Sequence, residues 1–195
     1  AWWPQMLATS IPGDWNEDPA IVSLEEFRLV WTTWKRWQRH HPDTQVLSTD
    51  TGHAYNYERD PYGSYNPRGG YYDNNAKLLF PPLNMDDRYG RKTVVMGART
   101  PKGAVAFVKK SLRERGLVEG TIGDTPVLAV HDPALDTAYV YLNPDETTFE
   151  HDEDSVVAAD GTSHDPDALP LTPVHTFDAM WFAWAGYYPN TNVHE

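Results

Sequence analysis

One stretch of this chain occurs twice, as WKRWQRHHPDTQV at residues 34–46 and as WFAWAGYYPNTNV at residues 181–193. Both copies read Trp-x-x-Trp-x4-Pro-Asp/Asn-Thr-x-Val, and they lie 147 residues apart. Trp and Pro are uncommon residues, so their match at one fixed offset indicates an internal repeat rather than two unrelated aromatic segments. We therefore expect residues 1–48 to be the end of a first repeat unit and residues 49–195 to be a complete second unit, packed as one globular body.

The paired tryptophans of each copy stand at positions i and i+3, which places each pair on one face of a helix. Such a pair could be a stacking platform for sugars or bases. The alternative, which a duplicated core favours, is that both pairs pack inside their own units.

The rest of the pattern predicts a β-rich α+β fold in which antiparallel meanders are joined by a few short helices. Three apolar runs separated by turn signals, at residues 117–122, 126–130 and 137–142, predict one meander. Residues 46–48 and 54–57 predict a hairpin around a Thr-Gly turn. The acidic stretch 149–168 is expected to be irregular, and a closing aromatic helix is expected over about 177–186.

Charge limits the classes of partner. Lys and Arg number 16 against 28 Asp and Glu, which gives a net charge of −12. A polyanion would be repelled, so we expect no nucleic-acid or anionic-membrane partner. An excess of Asp over Glu with few Lys favours a halophilic source, and an ordinary acidic protein is the alternative.

Two absences in the sequence exclude further classes of site. The longest apolar run has nine residues, at 180–188, whereas a membrane-spanning helix needs roughly 20. The chain has no Cys, so it holds no disulfide, zinc-thiolate site or cysteine nucleophile of its own. We expect no membrane span and no cofactor within these 195 residues, and the oligomeric state is left open.

The loop at residues 57–65 is the first candidate binding site. It is rich in Tyr and in turn-forming residues, and loops of this kind often carry binding side chains on a rigid scaffold. The candidate ligand-binding residues are Tyr57, Asp60, Tyr62 and Tyr65. A carboxylate pair of Asp50 with Asp60 would suit glycoside hydrolysis, and a purely structural turn is the alternative.

The histidines give only a weak metal signal. Three of the eight are followed directly by Asp, but adjacent residues on a strand point to opposite faces. The weak candidates for metal ligands are His131 and Asp132, which close an apolar strand ahead of a turn.

Several of these motifs resemble domain-of-unknown-function family 3179, which occurs in bacteria and archaea. The acidic composition is similar to that of haloarchaeal members, and the match is to the C-terminal part of the family's longer proteins. The stretches that carry the resemblance are residues 3–5, 34–37, 42–48, 51–52, 57–65 and 181–191.

The resemblance implies an exported or membrane-anchored protein with a duplicated domain. Its first unit would carry a Cys-Pro-x-Cys motif, which implies redox or soft-metal chemistry. In this chain, residues 126–133 are similar to the strand and turn that carry this motif, and Asp132 stands near the position of the first cysteine. Thiol chemistry is therefore excluded there.

These observations give two leading expectations for function. The first is a non-catalytic or degenerate repeat unit of an extracytoplasmic, redox- or metal-associated protein, whose partner is its own missing N-terminal half. The second is a stand-alone β domain that binds a sugar or peptide through the loop at residues 57–65. A hydrolase built on Asp50 or Asp60 is the third.

Overall fold

The computed structural model describes residues 3–11, 22–60, 62–64, 67–74 and 76–195. These residues form 13 strands, three α-helices of seven residues each and two 3-10 turns, at Gln5–Leu7 and Gly70–Tyr72. The helices are α1 (Trp34–His40), α2 (Lys109–Arg115) and α3 (Trp181–Tyr187). The strands are β1 (Thr9–Ser10), β2 (Val22–Ser23), β3 (Val94–Thr100), β4 (Gly103–Val108), β5 (Leu117–Ile122), β6 (Thr125–Asp132), β7 (Thr137–Leu142), β8 (Phe149–Asp152), β9 (Ser155–Ala158), β10 (Ser163–His164), β11 (Thr172–Val174), β12 (Thr176–Met180) and β13 (Asn192–His194).

Two four-stranded sheets, ordered β12-β3-β4-β13 and β11-β7-β6-β5, form the centre of the body. Side chains alternate across a strand, so each sheet has two faces to cover. Met96 and Phe107 from the first sheet pack against Val127 and Val140 from the second, in one buried cluster. The sheets therefore stack on each other, as in a β-sandwich.

The outer faces of both sheets are covered as well. Val95 and Ala106, which alternate with the inner residues, pack against Trp181 and Trp184 of α3. On the far side, residues of β6 and β7 pack against the three-stranded sheet β8-β9-β10 and nearby loop residues. The body is thus built in four layers: helix, sheet, sheet and small sheet.

The β-rich α+β prediction is confirmed, and the three strands of the predicted meander form as β5, β6 and β7. Residues 46–57, in contrast, form no hairpin, because they lie exposed without a sheet to join. The acidic stretch does contain regular structure, because strands β8 and β9 pair within it. Phe149 of β8 and Val156 of β9 are buried in the apolar cluster beneath them. The closing helix begins four residues later than expected, because residues 176–180 pair with β3 as strand β12. One pairing is parallel rather than antiparallel, that of β13 with β4.

The segment ahead of α1 lies across the body in extended form. The Arg28 guanidinium donates hydrogen bonds to the Thr137 hydroxyl and the Ala138 carbonyl, and it stacks 3.8 Å above the Tyr139 ring. Glu26 pairs with Arg99. These polar contacts attach the N-terminal residues to the sandwich with little apolar burial.

Candidate functional site

Helices α1 and α3 share one local geometry. The indole N–H of Trp37 donates to the Thr44 hydroxyl at 3.0 Å, and that of Trp184 donates to the Thr191 hydroxyl at 3.1 Å. Each helix ends with the backbone N–H of the residue after it bonded to the carbonyl of its second tryptophan. The repeated sequence motif therefore folds the same way twice, and the Trp-to-Thr hydrogen bond explains why both residue types recur.

The two helices differ sharply in burial. Trp181 and Trp184 are fully buried, whereas Trp34 is 50% exposed. Other large apolar side chains near α1 are also exposed: Phe27, Leu29, Val46 and Leu47. The core-packing prediction therefore describes α3 and not α1, because α3 lies on a sheet while no sheet formed by the described residues lies beneath α1.

A cleft of about 1120 Å³ opens between α1 and α2. Aromatic side chains line one part of it, those of Trp31, Trp34 and Tyr72. The charged residues that line the remainder are Arg68, Lys109, Lys110, Arg113 and Asp136. The lining thus carries four cations and one carboxylate in a protein of net charge −12, and a second carboxylate, that of Asp178, lies beneath Lys109.

A buried ion pair forms the floor of this cleft. The Lys109 ammonium lies 2.6 Å from Asp178 Oδ1, and both side chains are almost fully buried. The backbone N–H of Trp31 donates to the other oxygen of Asp178 at 3.2 Å. Burial raises the pKa of Asp178, and Lys109 offsets part of that rise. This network joins the segment ahead of α1 to strand β12 and helix α2.

A second network lies at the mouth of the cleft. Arg113 donates two hydrogen bonds to the Asp136 carboxylate, both at 2.6 Å, and His131 Nε2 lies 3.3 Å from the same group. Burial alone would raise the pKa of Asp136, but the hydrogen bonds from His131 and Arg113 outweigh it and hold that pKa well below its usual range. Asp136 therefore remains ionised as a structural anion.

The predicted ligand-binding residues occupy an exposed turn. Tyr57 and Tyr62 each expose about half of their surface, and Tyr65 lies outside the described residues. Asp60 accepts a hydrogen bond from the backbone N–H of Tyr62 at 2.8 Å, which is the contact expected of an Asp that stabilises a turn. The Tyr62 ring lies 6.2 Å from that of Tyr71, which itself adjoins Tyr72 of the cleft wall. The turn thus leads toward the cleft.

His131 and Asp132, the weak metal candidates, are both engaged in the structure. His131 faces Asp136 at the mouth of the cleft, and Asp132 Oδ1 accepts a hydrogen bond from the backbone N–H of Ala134. Within the described ranges, no three His, Asp or Glu side chains come together as a metal-binding group. Asp50, the other carboxylate considered for hydrolysis, is exposed like Asp60.

Sequence reasoning misses the residues of the cleft. Two signals point to them: a Lys-Lys pair directly after an apolar strand, and a single Asp inside the apolar strand β12. A lone carboxylate in such a strand needs a buried cation. Sequence spacing does not show that Lys109 and Asp178, which are 69 residues apart, form that pair.

Within the described ranges, no helix has the length and apolar character that crossing a bilayer requires. Neither a curated protein nor a solved structure matches this chain. A family model described as "Protein of unknown function (DUF3179)" matches residues 1–191, which is nearly the whole chain. This chain therefore belongs to the DUF3179 family.

Proposed function

We propose that this chain is a non-catalytic repeat unit that packs against a preceding unit of the same fold. Residues 1–48 are the end of that first unit and residues 49–195 are the second. The observation that supports this proposal is the contrast between α1 and α3, which share sequence and local geometry while only α3 lies on a sheet.

The contrast has a physical consequence for α1. In the second unit Trp184 packs on strand β3, where Gly97 leaves room for its ring. The counterpart of that strand, 147 positions earlier, would precede residue 1, so α1 and the exposed apolar residues around it lack a matching sheet. Burying a side chain such as Leu or Phe contributes about 1.5–3 kcal/mol, so this surface is costly in water and typical of an interface.

The chemistry of the protein would then lie on the first unit. The family resemblance supports a redox- or metal-binding motif there and export from the cytoplasm, and the acidic composition suits a halophilic source. The second unit supports that site as a scaffold, with the cleft beside α1 contributing part of its wall.

The proposal is tested on the protein purified from its native source. Its denatured mass should lie far above 22.2 kDa. Hydrogen exchange should show the α1 amides protected in that protein and fast in the 195-residue chain, while the α2 amides exchange equally slowly in both. A native mass of 22.2 kDa, or α1 amides that exchange at the same rate in both proteins, would overturn it.

Ligand binding by the loop at residues 57–65 is a second candidate. It is favoured by two half-exposed tyrosines, Tyr57 and Tyr62, of which Tyr62 contacts Tyr71 next to the cleft wall. Calorimetric titration with short oligosaccharides and peptides should show binding that Tyr62→Ala abolishes. The matched control is Phe80→Ala, since Phe80 is also an exposed aromatic side chain, with 80% of its surface in solvent, and lies outside the loop. No binding, or equal loss in both variants, would contradict this candidate.

A further inference from the structure

We infer that the two repeat units are related by a local two-fold axis, so that they pack like the subunits of a symmetric dimer joined in one chain. This inference rests on the proposed function for the existence of the first unit. It goes further by specifying how that unit is oriented and what surface it presents.

The first observation concerns a contact between counterpart positions. The backbone N–H of Trp31 donates to the carboxylate of Asp178 at 3.2 Å, and these residues are 147 positions apart. They are therefore the same position in the two units. In a two-fold interface, a residue that contacts its own counterpart lies at the axis.

Repeats that stack by translation can also bring counterparts together, so a second observation is needed. A two-fold axis makes every contact reciprocal: if a segment of unit one contacts a segment of unit two, their counterparts also meet. Helix α3 of unit two packs against the turn Gln5–Leu7 of unit one, where the Tyr188 hydroxyl donates to the Met6 carbonyl.

The reciprocal neighbours are present. The counterpart of α3 is α1, and the counterpart of Leu7 is Asp154. His40 of α1 and Asp154 line one cavity of about 560 Å³, so α1 lies near the counterpart of Gln5–Leu7, which is the neighbourhood that two-fold symmetry predicts. Translation does not explain this neighbourhood. It would pair residues 152–154 with a helix of a third unit and not with α1.

The symmetry also specifies the surface that covers α1. In unit two, the loop at residues 82–92 covers α3: the Arg91 carbonyl accepts from Phe182, and Pro82 lies beside Gly186. At the counterpart positions α1 carries cations instead of Phe, Ala and Gly, namely Lys35, Arg36 and Arg39. Arg36 donates to the Pro133 carbonyl at 2.6 Å, and all three cations line the cavity that Asp154 also lines, so unit two itself supplies part of this cover. The strand of unit one that lies beneath Trp37 carries a glycine, as β3 does at Gly97 beneath Trp184.

Paired cysteines test the symmetry in the 195-residue chain, which has no cysteine of its own. The pairs are H40C/D154C and the counterpart pair L7C/Y187C, treated with a short bismaleimide and resolved on a denaturing gel. The control is Q38C/D154C, because Gln38 lies on the other side of α1 from His40. Circular dichroism of each variant, and of its single-cysteine parents, checks that the chain is folded.

We expect both counterpart pairs to give a fast-migrating internal cross-link and the control pair to give none. Cross-linking of L7C/Y187C alone, or equal reaction of H40C/D154C and the control, would overturn the two-fold axis. This result is independent of the native mass. A native mass of 22.2 kDa would overturn the first unit, whereas a larger mass with only one reactive pair would overturn only the symmetry.

Discussion

The contact between Trp184 and Gly97 gives the sharpest stability prediction. A Cβ built on Gly97 would lie 2.1, 2.3 and 2.6 Å from three carbon atoms of the Trp184 ring. Ordinary contacts begin near 3.4 Å, so Gly97→Ala must displace the ring by more than 1 Å. Trp184 is fully buried between strand β3 and its own helix, so it has no free space to enter.

The expected cost of Gly97→Ala is about 3 kcal/mol. Overpacking a core costs about 1–3 kcal/mol, and losing the burial of a large aromatic side chain costs about 3–5 kcal/mol. For a chain of this length, that loss lowers Tm by roughly 6–12 °C. Urea denaturation and a thermal melt both measure it.

The matched control is Gly69→Ala, because nothing lies within 4 Å of a Cβ at Gly69 and its backbone is extended. This change should alter stability by less than about 0.5 kcal/mol. A double-mutant cycle with Trp184→Leu should show that Gly97→Ala costs much less once the ring is removed. Equal effects of Gly97→Ala and Gly69→Ala, or strict additivity with Trp184→Leu, would refute the argument.

Two further changes probe the charged networks around the cleft. Asp136→Asn keeps a residue type that tolerates the positive φ of 55° at this position but removes the anion held by Arg113. Because the pKa of Asp136 is lowered by folding, its contribution is present above about pH 4 and is lost as pH falls. The variant should be about 1–2 kcal/mol less stable at pH 7, and this difference should shrink steadily as pH falls below about 4. An equal difference at about pH 7 and about pH 2 would contradict this. Lys109→Ala leaves the Asp178 carboxylate buried without its cation, and urea denaturation should show a loss of about 3–5 kcal/mol in the free energy of unfolding. The loss should be larger at about pH 8 than at about pH 5, because burial raises the pKa of Asp178 and folding then requires this carboxyl to take up a proton. Adding Asp178→Leu should recover most of that loss. If it recovers none, the unpaired Asp178 carboxylate is not what destabilises the Lys109→Ala variant.

The strands of the sandwich are predictable because they carry local signals. Alternating apolar residues and turn residues identify β5, β6 and β7. A glycine is another local signal, because Gly116, with φ of 73°, ends α2 directly before β5 begins. The exposed segment at residues 46–57 has residues that suit strands and so predicts a hairpin, but strand propensity forms no strand without a neighbouring sheet.

The cleft is not predictable in this way because it depends on contacts between distant residues. Lys109 and Asp178 pair across 69 positions, and Trp31 meets Asp178 across 147. The local sequence pattern predicts whether a residue lies in a strand or a helix, but it does not predict which distant residue that side chain contacts. The repeat is the exception, since a fixed offset in the sequence is enough to identify counterpart positions such as Trp31 and Asp178.

The distribution of charged residues distinguishes two hypotheses, in which this chain is either a free-standing domain or one half of a larger protein. Residues 27–42 carry four cations and no carboxylate, although the chain as a whole has a net charge of −12. A solvated helix on an acidic protein has no need of such segregation, and exposed aromatic side chains beside it add a cost in water. Arg28 is bound to strand β7 and Arg36 to the Pro133 carbonyl. An acidic surface of the same fold over α1 would neutralise the remaining two cations, Lys35 and Arg39, and would also bury Trp34. The same residues would have no such common explanation in a protein that functions with α1 exposed.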